Sequence, residues 1–342
     1  MTLYERIESF AELGQILRDS LEGKSASYSS VLDKIINNQQ FRNPWFTPGN
    51  VTMAIKSIGD ELTPDNLTKW TSRYPALNSD GHYMKVGIVM AGNIPLAGFH
   101  DFLTVLISGH SLTAKTSSKD PDIILFISNV LCKINPEYKN RIILTDGLIK
   151  GFDAIIATGS DNTSRYFEYY FGKYPHIIRK NRNSIAIIDG SETEEELSLL
   201  GSDVFSYFGL GCRSVSKIYL PNRYDITRLI DSWADFSQII NHKKYANNYD
   251  FNKAVFIVNR DAFRDAGYLL FKKSSGISSP VAVLYYEFYD SLKSIYAEIE
   301  KMKEKIQCIV GRNEVQFGRA QWPQLWDYAD GTDTLSFLLK KK

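Results

Sequence analysis

With 342 residues the chain has room for two domains of ordinary size, or for one large domain with an attached subdomain, and 44% hydrophobic with 13% aromatic residues excludes a disordered chain. Lys and Arg number 40 against 39 Asp and Glu, a formal charge of +1 that excludes the electrostatic footprint expected for binding nucleic acid or an anionic membrane. Three cysteines without paired spacing give no disulfide framework and point to a reducing, cytoplasmic setting.

Residues 1–8 carry acids early and no apolar core of signal type, so secretion is not expected. From there to about residue 74 the chain alternates helical periodicity with polar loops: Ile7, Phe10, Leu13, Ile16 and Leu17 recur at helical spacing, and Pro44 to Gly49 interrupts the pattern. At Lys85 short β-branched runs begin. The spacing predicts a strand at 85–90, a helix at 96–107 and a strand at 111–115. Asp120-Pro121-Asp122 then starts a helix, because aspartate caps and proline fits the first turn, with Ile123, Ile124, Ile127, Val130 and Leu131 on its apolar face. Strands are expected at 141–145 and 154–158 and a helix at 162–171. Strand and helix in alternation with short connections is the pattern of a parallel sheet wrapped by helices.

A second cycle opens with a strand at 184–188, a loop at 189–191 and a helix at 194–208 that is acidic at its start. Cys212, a strand at 217–220, helical and mixed segments, a β-rich stretch at 281–288, a charged helix at 294–305 and a strand around Cys308 follow. The tail, 316–337, is aromatic and polar, and Lys340, Lys341 and Lys342 read as solvated. The stretch 86–99 is too short to span a bilayer and holds Asn93 and Pro95, so no integral membrane segment is expected. The histidines, His82, His100, His110, His176 and His242, form no His-X-X-X-His pair, and no metal site is expected.

Four segments could carry chemistry. Cys212 lies in Phe208-Gly209-Leu210-Gly211-Cys212-Arg213, between a helix and a strand, where the glycines free the backbone and leave room beside the sulfur. Such a thiol is either a presented nucleophile or an inert buried group; Cys132 and Cys308, in apolar runs, read as small core residues. Asn93, in Gly92-Asn93-Ile94-Pro95-Leu96 after the 85–90 strand, falls at the carboxyl edge of the parallel sheet, where ligands bind. It is either a turn-forming residue or an amide donor to an oxyanion. Lys115 with Thr116, Ser117 and Ser118 ends the next strand, and suits a ribose or phosphate or simply solvent. Thr158-Gly159-Ser160 ends another strand directly before a helix, whose free N–H groups favour an anion.

The order of these segments resembles the aldehyde dehydrogenase superfamily, in which Pro-Trp-Asn-Phe-Pro, Gly-Asn-X-X-X-X-Lys-Pro-Ser-Glu, Thr-Gly-Ser and Gly-Gln-X-Cys follow one another. More closely, Ala91 to Leu96, Tyr207 to Arg213 and Leu325-Trp326-Asp327-Tyr328-Ala329-Asp330-Gly331 resemble the LuxC-type acyl-CoA reductases. The likeness covers about 86–337. It implies an α/β, aldehyde dehydrogenase-like fold: a helical section at 1–80, a Rossmann-type parallel-sheet cofactor domain at 81–180, a second α/β catalytic domain at 181–315, and a tail at 316–342 that is a candidate for oligomerisation, here as a homo-oligomer.

By the same resemblance Cys212 is the nucleophile, and Asn93 with the Cys212 backbone N–H forms the oxyanion hole. Lys115, Ser117 and Ser118 lie by the adenosine ribose or its phosphate, and Gly159 and Ser160 by the cofactor pyrophosphate. Two departures stand out. The superfamily's general-base glutamate aligns near Ile178-Arg179-Lys180-Asn181, where no carboxylate exists, and the glutamate after Lys-Pro-Ser becomes Ser118. Without a base to activate water, hydrolysis of an acyl-enzyme is slow, whereas reduction needs no water. Ser118 beside Lys115 and Lys119 removes repulsion towards a 2′-phosphate. The expectation is therefore NADPH-dependent reduction of an acyl thioester, carried by coenzyme A or an acyl carrier, to an aldehyde. An acyl-phosphate reductase of the same superfamily and a non-catalytic acyl-binding scaffold are the alternatives.

Overall fold

The computed structural model describes residues 1–78 and 83–340, which leaves His82, Lys341 and Lys342 outside. The chain folds as two compact units, residues 1–181 with 324–342 and residues 182–323.

The first unit opens with four helices, α1 (Leu3–Leu21), α2 (Ser29–Arg42), α3 (Pro48–Glu61) and α4 (Pro64–Thr71). Local chemistry sets their starts. The Thr2 hydroxyl accepts from the Glu5 N–H while the Glu5 carboxylate accepts from the Thr2 N–H, and Thr47-Pro48 and Thr63-Pro64 pair a capping hydroxyl with a proline in the first turn. The apolar face of α1, Phe10, Leu13 and Leu17, is completely buried.

A five-stranded parallel sheet follows, from β1 (Lys85–Val89), β2 (Ser111–Lys115), β3 (Ile142–Thr145), β4 (Ala154–Thr158) and β5 (His176–Arg179), in the order β3-β2-β1-β4-β5. Helices α5 (Phe99–Ile107), α6 (Pro121–Ile134) and α7 (Asp161–Phe171) connect the strands. Val86 and Ile88 of β1, Leu112 of β2 and Ile127 and Leu131 of α6 share one core with the amino-terminal helices, and Leu325, Leu335 and Leu338 of the tail belong to it. The tail is fastened by polar groups as well. The indole of buried Trp70 donates to the Tyr328 hydroxyl at 2.8 Å, and the Tyr74 hydroxyl donates to Asp333 at 2.9 Å.

Two features of this unit differ from the sequence expectation. The helix expected from residue 96 begins at Phe99, because Pro95 opens a turn in which Leu96 takes φ 58°. Strand β5 was not expected, since its four residues, His176 to Arg179 directly after Pro175, carry too little alternation to register.

In the second unit β6 (Asn183–Ile187), β7 (Val215–Pro221), β8 (Phe263–Asp265), β9 (Leu270–Lys273), β10 (Val283–Tyr289) and β11 (Ile306–Val310) form a mixed sheet, order β11-β6-β7-β10-β9-β8, antiparallel only at β8–β9. Helices α8 (Glu194–Phe205), α9 (Thr227–Ser232), α10 (Lys243–Asn259) and α11 (Leu292–Lys301) accompany it. The β8–β9 hairpin was read as mixed sequence. Its turn signal is Asp265, whose carboxylate accepts from the Gly267 N–H at 2.8 Å, ahead of a glycine at φ 83°. Lys217 in the middle of β7 is completely buried yet paired, at 2.6 Å, with Glu287 of β10, which keeps the charge tolerable in a sheet interior. The charged helix expected at 294–305 runs Leu292–Lys301, and the acidic helix expected to reach 208 stops at Phe205.

Candidate functional site

In the first unit the strand order places β1 at the centre, with β2 on one side and β4 on the other, so the direction in which successive strands are laid down reverses at β1 while all strands stay parallel. At this topological switch point parallel α/β sheets open a crevice at their carboxyl edge. In register, Val89 of β1 faces Lys115 of β2 and Ala157 of β4. The loops that follow these residues hold Asn93, then Ser117 and Ser118, then Gly159 and Ser160. With strands spaced about 4.8 Å apart, the loops after β2 and β4 lie about 10 Å from each other across β1.

The loop after β1 runs close to the loop after β2. A Cβ on Gly92 would overlap the Ser117 side chain, so only glycine permits this approach. Ser117 itself shapes its turn, its hydroxyl accepting from the Lys119 N–H at 3.2 Å. Asn93, Ser118 and Lys119 are exposed and Lys115 is half-buried; among the described residues Lys115 makes no ion pair. After β4, a Cβ on Gly159 would lie 2.9 Å from the Phe167 ring and 3.0 Å from Thr163, so glycine lets α7 pack against the strand end. The Ser160 hydroxyl accepts from the Thr163 N–H at 3.3 Å and caps α7, which leaves the other first-turn N–H groups directed at the sheet edge. An uncommitted lysine, hydroxyls and a helix amino end are the donor set that a dinucleotide phosphate requires. These residues fit the phosphates of a dinucleotide.

At the carboxyl end of β5, where the resemblance would place a general base, Arg179 is 3% exposed and bound on all sides. Its guanidinium donates to both oxygens of Asp101, at 2.7 and 3.4 Å, to the Thr334 hydroxyl at 2.8 Å and to the Ala329 carbonyl. The Asp101 carboxylate is thus spent on a buried ion pair, which makes it a structural anion and not a base.

The second unit presents the thiol. Of the three cysteines only Cys212 is exposed; Cys308 is buried and Cys132 half-buried. The turn that leads to Cys212 has three consecutive left-handed residues, Tyr207 at φ 53°, Phe208 at φ 58° and Gly209 at φ 76°. The sequence reading assigned the unusual backbone to Gly209 and Gly211; it falls instead on Gly209 and the two aromatic residues before it. Each non-glycine residue in this region costs about 1–2 kcal/mol, a strain held in place because Tyr207 and Phe208 are themselves buried.

Other groups fix the segment around the sulfur. The Ser184 hydroxyl of β6 donates to the Cys212 carbonyl at 2.9 Å and lies 3.0 Å from the Cys308 sulfur. The Arg213 guanidinium donates to the Ala320 carbonyl, and the buried Asp203 carboxylate accepts from the Gly318 and Ala320 N–H groups at 2.7 and 2.9 Å. Burial raises the Asp203 carboxyl to about 6. Beside the turn, Phe205, Phe208, Val215 and Tyr245, together with Ser216 and Ser279, line a small cavity of mixed polar and apolar wall with no charged side chain.

Ser184 and Asp203 are supporting residues that the sequence reading did not single out. A serine opening a strand and an aspartate in a helix carry no local mark of what they will touch.

No family model matches the chain, and no curated protein matches it in sequence. Solved structures do match in fold. Aldehyde dehydrogenase 21 from Physcomitrella patens, in complex with the reaction product succinate, aligns over 91% of this chain and 74% of its own at 15% identity and a TM-score of 0.62. The NAD+ complex of an aldehyde dehydrogenase from Bacillus cereus aligns over 91% and 72% at 12% identity and a TM-score of 0.62. A Mycobacterium tuberculosis aldehyde dehydrogenase complexed with NAD+ aligns over 84% and 70% at 14% identity and a TM-score of 0.58. The fold is therefore that of the aldehyde dehydrogenases: a Rossmann-type parallel-sheet unit, a second unit with a mixed sheet, and a helical amino-terminal section. No helix among the described residues is long and apolar enough to cross a membrane.

Proposed function

We propose that the protein is an oxidoreductase that reduces an acyl thioester to an aldehyde with NADPH, through a thioacyl intermediate on Cys212. The observation that carries this reading is the presentation of Cys212: it is the one exposed cysteine of three, at the end of a strained left-handed turn and tethered through its own carbonyl by Ser184. A merely structural thiol requires none of this.

The Cys212 thiolate attacks the thioester carbonyl, a carbon–sulfur bond forms, and the oxyanion of the tetrahedral adduct is assigned to the Asn93 amide and the Cys212 N–H. Collapse breaks the original carbon–sulfur bond, and the coenzyme A or carrier thiolate leaves readily because a thiol's pKa is about 8.5. A nicotinamide cofactor, when bound, supplies the hydride that reduces the thioacyl carbon. The resulting hemithioacetal alkoxide reforms its C=O as the carbon–sulfur bond to Cys212 breaks, releasing the aldehyde and restoring the thiolate. Lys115, Ser117, Ser118, Gly159 and Ser160 are assigned to the cofactor's ribose and phosphates, and Lys115 with Lys119, in a loop lacking a carboxylate between them, favours the 2′-phosphate of NADPH.

Two further features support reduction of an acyl thioester. The carboxylate in contact with Arg179 is locked in an ion pair, so water finds no base there. The cavity beside the Cys212 turn holds no charged side chain, and so offers no cation to the phosphate of an acyl phosphate. The test is intact-protein mass spectrometry after incubation with acyl-CoA in the absence of NADPH. An acyl adduct on Cys212 should persist and vanish on addition of NADPH, with aldehyde formed; rapid decay in buffer to free acid would refute the reductive direction.

A further inference from the structure

Asp120 stands at the amino end of α6, where an aspartate ordinarily caps its own helix by accepting from an N–H in the first turn. It makes no such bond. Its Oδ2 reaches instead to the loop after β1 and accepts from the Leu96 N–H at 2.7 Å, while Oδ1 is buried without a hydrogen-bond partner among the described residues. The residue is 6% exposed, and with Ala91, Leu96, Gly98 and Ser117 it lines a small cavity under that loop.

Leu96 is the residue that most needs support. It is buried, and its φ of 58° lies in the region that branched and bulky side chains avoid. The Asp120 bond engages the N–H of the strained residue itself, three positions after Asn93. The helix cap has therefore been given up for a contact that fixes a neighbouring loop. Burial also raises the Asp120 carboxyl to about 7, against the pull of the Leu96 N–H and with the like charge of Asp122 adding to it, so near neutral pH the protonated and ionised forms coexist at this place.

We infer that Asp120 is a positioning residue: by holding the Leu96 N–H it sets the backbone of the loop that carries Asn93, and thereby aims the Asn93 amide. The second half of the inference rests on the reading of Asn93 as the oxyanion donor. Asparagine at 120 offers the same carbonyl acceptor without charge, whereas alanine offers none. Glycine at 96 adopts positive φ freely and removes the need for support.

The experiment compares the wild type with Asp120→Asn, Asp120→Ala, Leu96→Gly and the double variant Asp120→Ala/Leu96→Gly in the full chain. Hydrogen exchange of the Leu96 amide is read first, and needs no turnover. It should be fast in Asp120→Ala and protected in the wild type and Asp120→Asn. In acyl-CoA reduction, Asp120→Ala should lower kcat about tenfold, the scale of losing one buried hydrogen bond, with KM and NADPH affinity unchanged. Asp120→Asn should keep kcat, and the loss caused by Asp120→Ala should shrink in the Leu96→Gly background. Equal Leu96 exchange in wild type and Asp120→Ala overturns the inference, as do equal losses for Asn and Ala or additive losses in the double variant. A wild type without reductase activity, but with the expected exchange pattern, sinks the proposed function and leaves the structural role of Asp120 standing.

Discussion

Replacing Arg179 by alanine tests whether the end of β5 is structural, as the geometry says, or holds catalytic machinery. The side chain is 3% exposed and its partner Asp101 only slightly more so, and the guanidinium links β5 and α5 to the tail through Asp101, Thr334 and Ala329. Removing it leaves a carboxylate buried and unpaired and strips donors from a hydroxyl and a carbonyl. Breaking a buried pair from one side costs about 3–5 kcal/mol. With a urea dependence of about 2 kcal/mol per molar, the first unit's unfolding midpoint should fall by about 1.5–2.5 M. The assay is urea unfolding followed by hydrogen exchange in peptides from β5 and the Thr334–Leu339 helix, which should lose protection together. Pairing Arg179→Met with Asp101→Leu should recover part of the loss, because no charge is then buried alone. Arg179→Glu, which formally restores a carboxylate at this place, should unfold the unit and not create a hydrolase. An Arg179→Ala protein with an unchanged midpoint and a protected tail would refute the reasoning.

Cys212→Ala should abolish reduction of acyl-CoA, read by NADPH absorbance, and leave NADPH binding intact; Cys132→Ala and Cys308→Ala should act on stability alone. Iodoacetamide should alkylate Cys212 before the other two cysteines, because it is the exposed one, and acyl-CoA should protect it. Asn93→Ala should lower kcat about a hundredfold, the scale of losing one oxyanion donor, without slowing alkylation of Cys212. The pH dependence of stability follows from Asp120, raised to about 7, and Asp203, raised to about 6, against an ordinary value of 3.8. Each binds its proton more tightly when folded, so its favourable contribution is fully present below pH 3.8 and is lost as pH rises to its folded value, at up to ~1.4 kcal/mol per pH unit. Urea midpoints measured from pH 4 to 8 should show this decline, and Asp120→Asn should flatten the part that extends between about pH 6 and 7.

Much of this architecture is legible in the sequence because it rests on local rules. Short strand-forming runs at 85–89, 111–115 and 154–158, each followed by a glycine or serine turn and a helical segment, specify strand–helix units whatever surrounds them, and the strand ends carry Asn93, Lys115 and Gly159 to one edge automatically. Cys212 is legible in the same way, since glycines between a helix and a strand mark a turn without naming its torsions. What tertiary structure alone decided are the partners that meet across long separations. Tyr207 and Phe208 took left-handed torsions that propensity assigns to glycine, because their side chains gain burial there. Asp120 reads as a helix cap, yet its carboxylate bonds Leu96. Arg179 reads as a departure from a motif, and only the packing of α5 and the tail around it shows a buried ion pair. A carboxylate's neighbours are set by how helices lie on a sheet, and no window of residues around it contains that information.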